Sequence, residues 1–141
     1  MRGHEPRRHR QWPPWGGLIR AVVVAAVLSG VPSTLHAMAT GRSLLASTRA
    51  AGTLLGRASV PRGALAHVLL SAGWTTVIAA LLPARRPVLS GALLGGAVAA
   101  LDLSIARRWF PAIARLPQRP QWADHVAFGA LAAAMIGRER S

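Results

Sequence analysis

Residues 88–106 read VLSGALLGGAVAALDLSIA, a run whose single charged side chain is Asp102, closed by Arg85–Arg86 before it and Arg107–Arg108 after it. A hydrocarbon core about 30 Å thick takes roughly 20 helical residues to cross, because only a helix or a closed barrel satisfies its own backbone where water is absent. This run has the length, the composition and the flanking charge of such a crossing.

Outward from it, the pattern repeats. Residues 17–38 form a second apolar run whose one charge, Arg20, lies near its start, where a long side chain can snorkel to the headgroups. Residues 63–82 form a third, between Arg62 and Pro83, and residues 120–137 a fourth. The fourth is short unless Pro120 and Gln121 begin the helix, so a tilted helix or a thinned bilayer is needed for it to cross. Between the first two runs, Leu44, Leu45, Thr48, Ala51 and Leu55 share one side of a helical wheel, opposite Arg42, Arg49 and Thr53. An apolar stripe facing arginines is what a helix lying flat in the interface requires.

The expected fold is therefore an all-α integral membrane protein. It is a four-transmembrane-helix bundle with helices at about 17–38, 63–82, 88–106 and 120–137 and a short interfacial amphipathic helix at about 43–55. A basic tail, 1–16, precedes the bundle, and residues 138–141 follow it. The first run reads as a retained anchor rather than a cleaved signal, being longer than a signal core and followed by three similar runs. Trp12, Trp15, Trp109 and Trp122 fall at the expected headgroup levels. Trp74 alone is mid-span, where packing or lipid contact is its default role.

Composition narrows the function. The chain has 141 residues, with 17 basic against 4 acidic and a net charge of +13, and every basic residue is arginine. Without cysteine or lysine, thiolate metal sites, cysteine nucleophiles, Schiff bases and phosphate-loop lysines are excluded. The arginines punctuate the apolar runs instead of forming a basic helix interleaved with aromatics, so nucleic acid is not the expected partner. Membrane lipids are, together with further copies of the chain or another membrane protein. Arginine in place of lysine fits a GC-rich bacterial genome and carries no functional weight; the expected location is a bacterial inner (cytoplasmic) membrane, crossed several times. The 17 arginines divide nine to eight between the two sides, so no orientation follows.

Each run carries a small or hydroxylated face that also holds its ionisable group. These faces are Ser29, Ser33 and His36 in the first, with Pro32 bending the helix; His67, Ser71 and Thr75 in the next; Gly91, Gly95, Ala99 and Asp102; and His125, Gly129 and Ala133. Helices in lipid approach through such residues. Up-and-down topology places His36, His67, Asp102, Asp124 and His125 in one layer, about 3–9 Å inside the helix ends at 1.5 Å per residue.

Several roles are open to that layer. It can be a structural polar network, with Asp102 paired to Arg107, Arg108 or a histidine of another helix, Asp124 capping the fourth helix, and Ser33 nearby. His36, His67, Asp102 and His125 can be ligands of a divalent metal. Two histidines can be axial ligands of haem, and the layer can also bind a lipid headgroup or solute. No hydrolase, metalloprotease or nucleotide motif is present, so an enzyme is not expected. The leading expectation is an accessory or stabilising role in a membrane assembly. The alternatives are metal, haem or lipid-headgroup binding, and a small oligomeric channel or exporter.

Overall fold

The structure, a computed structural model, describes residues 12–140. Most of the basic tail and the last residue, Ser141, lie outside the described residues. Everything regular within them is helical: α1 Trp15–Leu28, α2 Val31–Ala39, α3 Ala46–Ala51 continued by a 3-10 turn Gly52–Leu55, α4 Val60–Leu81, α5 Pro87–Trp109, α6 Pro111–Ala114 and α7 Gln118–Glu139.

Prolines set most of these boundaries. A residue before proline is driven towards extended backbone. Leu82 before Pro83 (φ −64°, ψ 119°) ends α4, and Phe110 before Pro111 (φ −124°, ψ 91°) ends α5. Pro87 and Pro111 then open α5 and α6, where a missing N–H costs nothing. The turn between α4 and α5 closes through Arg86 in the left-handed region, φ 50°.

The first expected helix is two. Pro32 has no N–H to offer Leu28 and its ring crowds the preceding turn, so α1 stops at Leu28 and α2 restarts at Val31 around Ser29–Gly30. The fourth expected helix is longer than its apolar run. α7 begins at Gln118, takes Pro120 into its first turn where N–H groups are unsatisfied anyway, and reaches 22 residues. That is about 33 Å at 1.5 Å per residue.

Among the described residues, three segments are long and apolar enough to cross a membrane: Trp15–Ala39 taken through its break, Val60–Leu81 and Pro87–Trp109. α7, which carries Arg119, Asp124, Arg138 and Glu139, is not among them. It is instead the helix that the others surround, with α5, α1, α2 and α4 all packed against it. Only 22–28% of each apolar segment is buried. Ile19, Val23, Val27, Leu69, Leu93 and Leu101 face outwards, the surface a lipid-facing bundle presents.

The most extensive helix contact, and a close one, is between α5 and α7. A Cβ on Gly129 would run into the carbonyl of Gly91 and the backbone of Gly95, and one on Gly95 into the carbonyl of His125. Leu18, Ala21 and Ala25 of α1, Ile78, Ala79 and Leu82 of α4, and Phe128, Ala132, Ala133 and Ile136 of α7 form one core. That core lies towards the end where α1 begins and α4 ends. The Arg20–Glu139 ion pair (3.0 Å) and Arg140, whose Nη2 donates to the Ala79 carbonyl at 2.8 Å, close the same end.

Candidate functional site

The opposite end is hollow. α4 and α5 are joined by a short turn yet touch little along their length. Between them and the α1–α2 break is a half-open cavity of about 400 Å³. Its walls come from α1, α2, α4, α5 and α7, with Val98, Leu70 and Phe128 among the apolar ones. Its roof is α3 and the α6 region, through Ser47, Thr48, Ile113 and Leu116. The roof is pinned: Gly63 of α4 lets the Thr48 carbonyl sit where a Cβ would be, and Gln121 Nε2 donates to Ser47 Oγ at 3.1 Å.

The expected interfacial helix is thus shorter than 43–55. It turns Ala50 and Gly52 inward and leaves Leu44, Leu45 and Leu55 exposed. Packing on α4 needs the small residues, so Leu45 and Leu55 stay exposed while Leu44, also largely exposed, edges the cavity.

The break between α1 and α2 is bracketed by side chains from two other helices. In an unbroken helix the Ser33 N–H would donate to residue 29. Here it donates to Asp124 Oδ1 of α7 at 2.9 Å. Asp124 therefore caps the start of α2 rather than its own helix, where a negative group also meets the favourable end of the helix dipole. On the other side of the break the Ala26 carbonyl, in the last turn of α1, pairs with His67 Nε2 of α4 at 2.9 Å. A carbonyl only accepts, so Nε2 carries the proton. One orphan donor and one orphan acceptor at the break are thus met by side chains of other helices.

Asp102 of α5 accepts the indole N–H of Trp74 at 2.9 Å on Oδ2, and His125 Nε2 lies 3.7 Å from the same oxygen. His125 Nδ1 donates to the Gln121 carbonyl at 2.8 Å. Asp102 therefore meets a histidine of another helix, one of its expected partners. Arg107 and Arg108 are exposed and line no part of the cavity, and Arg108 lies over the Trp109 ring instead, 6.0 Å from its centroid. Trp74, expected to serve packing or lipid, is the carboxylate's donor.

His67, Asp102, Asp124, His125 and Ser33 all line the one cavity. His36 does not. It sits in the last turn of α2 beside a small separate recess with Ser33, Arg42 and Gln121. Among the described residues, no three of His, Asp and Glu come together as a metal site would need.

Two further lining residues carry unspent polarity. Ser29 and Ser71 are 3% and 4% exposed, and neither hydroxyl is hydrogen-bonded to a described residue. Thr75, one turn deeper on α4, is fully buried with an unpartnered hydroxyl. Buried polar groups normally have partners, so the hydroxyls of Ser29 and Ser71 mark the cavity as a place for something polar.

Comparison with protein-family models, with curated proteins and with solved structures gives no match for this chain.

Proposed function

We propose that this chain is a four-span membrane protein that binds the polar head of a small amphiphile in the cavity between α4, α5 and the α1–α2 break. One observation carries the reading: a half-open cavity of about 400 Å³ is mostly apolar yet collects two carboxylates, two imidazoles and the unpaired hydroxyls of Ser29 and Ser71. Binding sites of roughly 300–1,000 Å³, apolar with a few convergent polar groups, are the usual form for small ligands. Partial opening suits an acyl or alkyl chain that remains in lipid while its head is enclosed.

A bacterial inner membrane is part of this proposal, supported by the long apolar helices. The accessory role in a membrane assembly needs no cavity, which is why binding is placed first. A channel or exporter needs a path past Ile78 and Leu82, each 1% exposed in the core.

The test is to extract the protein gently and examine it by native mass spectrometry beside Ser71→Phe, whose ring would fill the cavity. A bound amphiphile is expected on the wild type and not on the variant, with helical content unchanged. The same species on both, or none on wild type even after reconstitution in lipid, would overturn the proposal.

A further inference from the structure

Given that cavity, the balance of hydrogen-bond donors and acceptors inside it specifies what enters. The strongest donors are already given to the chain's own carboxylates: the Ser33 N–H to Asp124, and the Trp74 indole N–H to Asp102. A carboxylate offers about four lone-pair sites, so each keeps acceptor capacity after one such bond. The imidazoles add to the surplus. His67 spends its Nε2 proton on Ala26 and His125 its Nδ1 proton on Gln121, because both partners are carbonyls. His67 Nδ1 and His125 Nε2 are then acceptors in the neutral rings.

The 3.7 Å between His125 Nε2 and Asp102 Oδ2 exceeds a hydrogen bond. Two acceptors facing across that gap call for a shared donor. The hydroxyls of Ser29 and Ser71 can give as well as accept. The break adds the carbonyl end of α1, the negative end of its dipole, while the positive start of α2 is already met by Asp124.

Charge agrees with this count. Among the described residues no arginine lines the cavity, although the chain holds 17 basic residues, all arginine, and two of its four acids do. An anion entering would meet both carboxylates and find the best N–H groups taken. A small cation with several N–H donors meets neither obstacle, and Trp74 and Phe128 in the walls are surfaces a cation also favours.

We propose that the group bound in this cavity is a primary ammonium carried on an apolar chain, received by Asp102, Asp124 and the free nitrogen of His125. This rests on the amphiphile-binding reading above. Such a group can belong to an aminolipid headgroup or to a free alkylamine.

The experiment titrates the full chain in mild detergent with decylamine, N-decylacetamide, decyltrimethylammonium and butylamine, reading tryptophan fluorescence and mass-resolved occupancy. Decylamine is expected to bind at least tenfold tighter than the neutral acetamide and than the quaternary cation, which has no N–H. Asp102→Asn and Asp124→Asn both keep an oxygen for Trp74 or Ser33 while removing charge, and each is expected to weaken decylamine about tenfold. Two such variants keep the test open if one fails to fold.

Equal binding of decylamine and the acetamide, competing for one cavity, would overturn the ammonium assignment and leave amphiphile binding standing. Binding of none of the four would remove both. Displacement of decylamine in discs of phosphatidylethanolamine but not phosphatidylcholine supports the assignment with a lipid as its source. Butylamine binding as tightly as decylamine supports it with a soluble amine, at the expense of the amphiphile reading.

Discussion

At the scale of single residues, the pair that most needs explaining is Trp74 with Asp102. A carboxylate between helices is costly unless its lone pairs are used, and the indole N–H at 2.9 Å is its one direct donor among the described residues. Trp74→Phe keeps most of the ring and removes that donor. The expected loss is about 1.5–3 kcal/mol, the range for a hydrogen bond to a charged group, read as a lower denaturation midpoint in detergent. In an Asp102→Ala background the same change should cost much less, since the acceptor has gone. Equal costs in both backgrounds would show that indole and carboxylate act independently. The sequence put Asp102 and His125 in one layer because depth follows from counting residues along a helix. It could not supply Trp74 as partner, because which residue faces Asp102 depends on how far α4 is rotated about its axis. That rotation is fixed by Gly63 against Thr48 and by Ser71 and Thr75 turning inward. His36 fails to join for a related reason: the break re-aims α2, so depth alone no longer predicts direction.

At the scale of elements, the break in the first span and the α5–α7 contact do different work. The break is made by Pro32 and completed by caps from α4 and α7, neither of which is adjacent to it in sequence. Pro32→Ala restores an N–H able to reach Leu28, and the Ser33 N–H is then free to return to residue 29. Slower amide exchange over residues 30–34 is expected. Unchanged exchange would mean that Asp124 and His67, rather than the proline, hold the break open. Proline made a bend legible in the sequence, but the caps are long-range pairs that only the fold creates. The α5–α7 contact is a matter of clearance. Gly129→Ala places a methyl against the Gly91 carbonyl, so the helices must part, at a cost of order 1–3 kcal/mol. Gly73→Ala meets nothing within 4 Å and should be neutral or stabilising by up to about 1 kcal/mol through helix propensity. Denaturation midpoints of the two variants decide it, and comparable losses in both would remove the close-approach account.

Across the whole molecule, one end is packed with alanines and closed by an ion pair, while the other is hollow and ringed by exposed arginines. That division explains why α7 can be less apolar than its neighbours. Its central position puts Phe128, Ala132 and Ile136 into the core and Asp124 and His125 into the cavity, leaving a smaller share of its surface exposed. Hydropathy along the chain measures what a helix would show if fully surrounded by lipid, so it undervalues a helix that the rest of the bundle wraps. The same reasoning predicts topology. If α7 crosses, the α3–α4 and α6–α7 connections share one side, and the α4–α5 turn shares the other with the C-terminus. The chain has no cysteine, so single replacements can be labelled without background. In intact vesicles a membrane-impermeant maleimide should reach Ala58→Cys and Arg115→Cys from one face and Ala84→Cys from the opposite one. A tag after the C-terminus should be accessible with Ala84→Cys. A tag accessible with Ala58→Cys instead would make α7 a re-entrant helix and reduce the spans to three. Labelling of all positions from both faces, with the protein in the soluble fraction, would remove the bilayer from the account altogether, because the exposed Ile19, Val27 and Leu93 would then be meeting water.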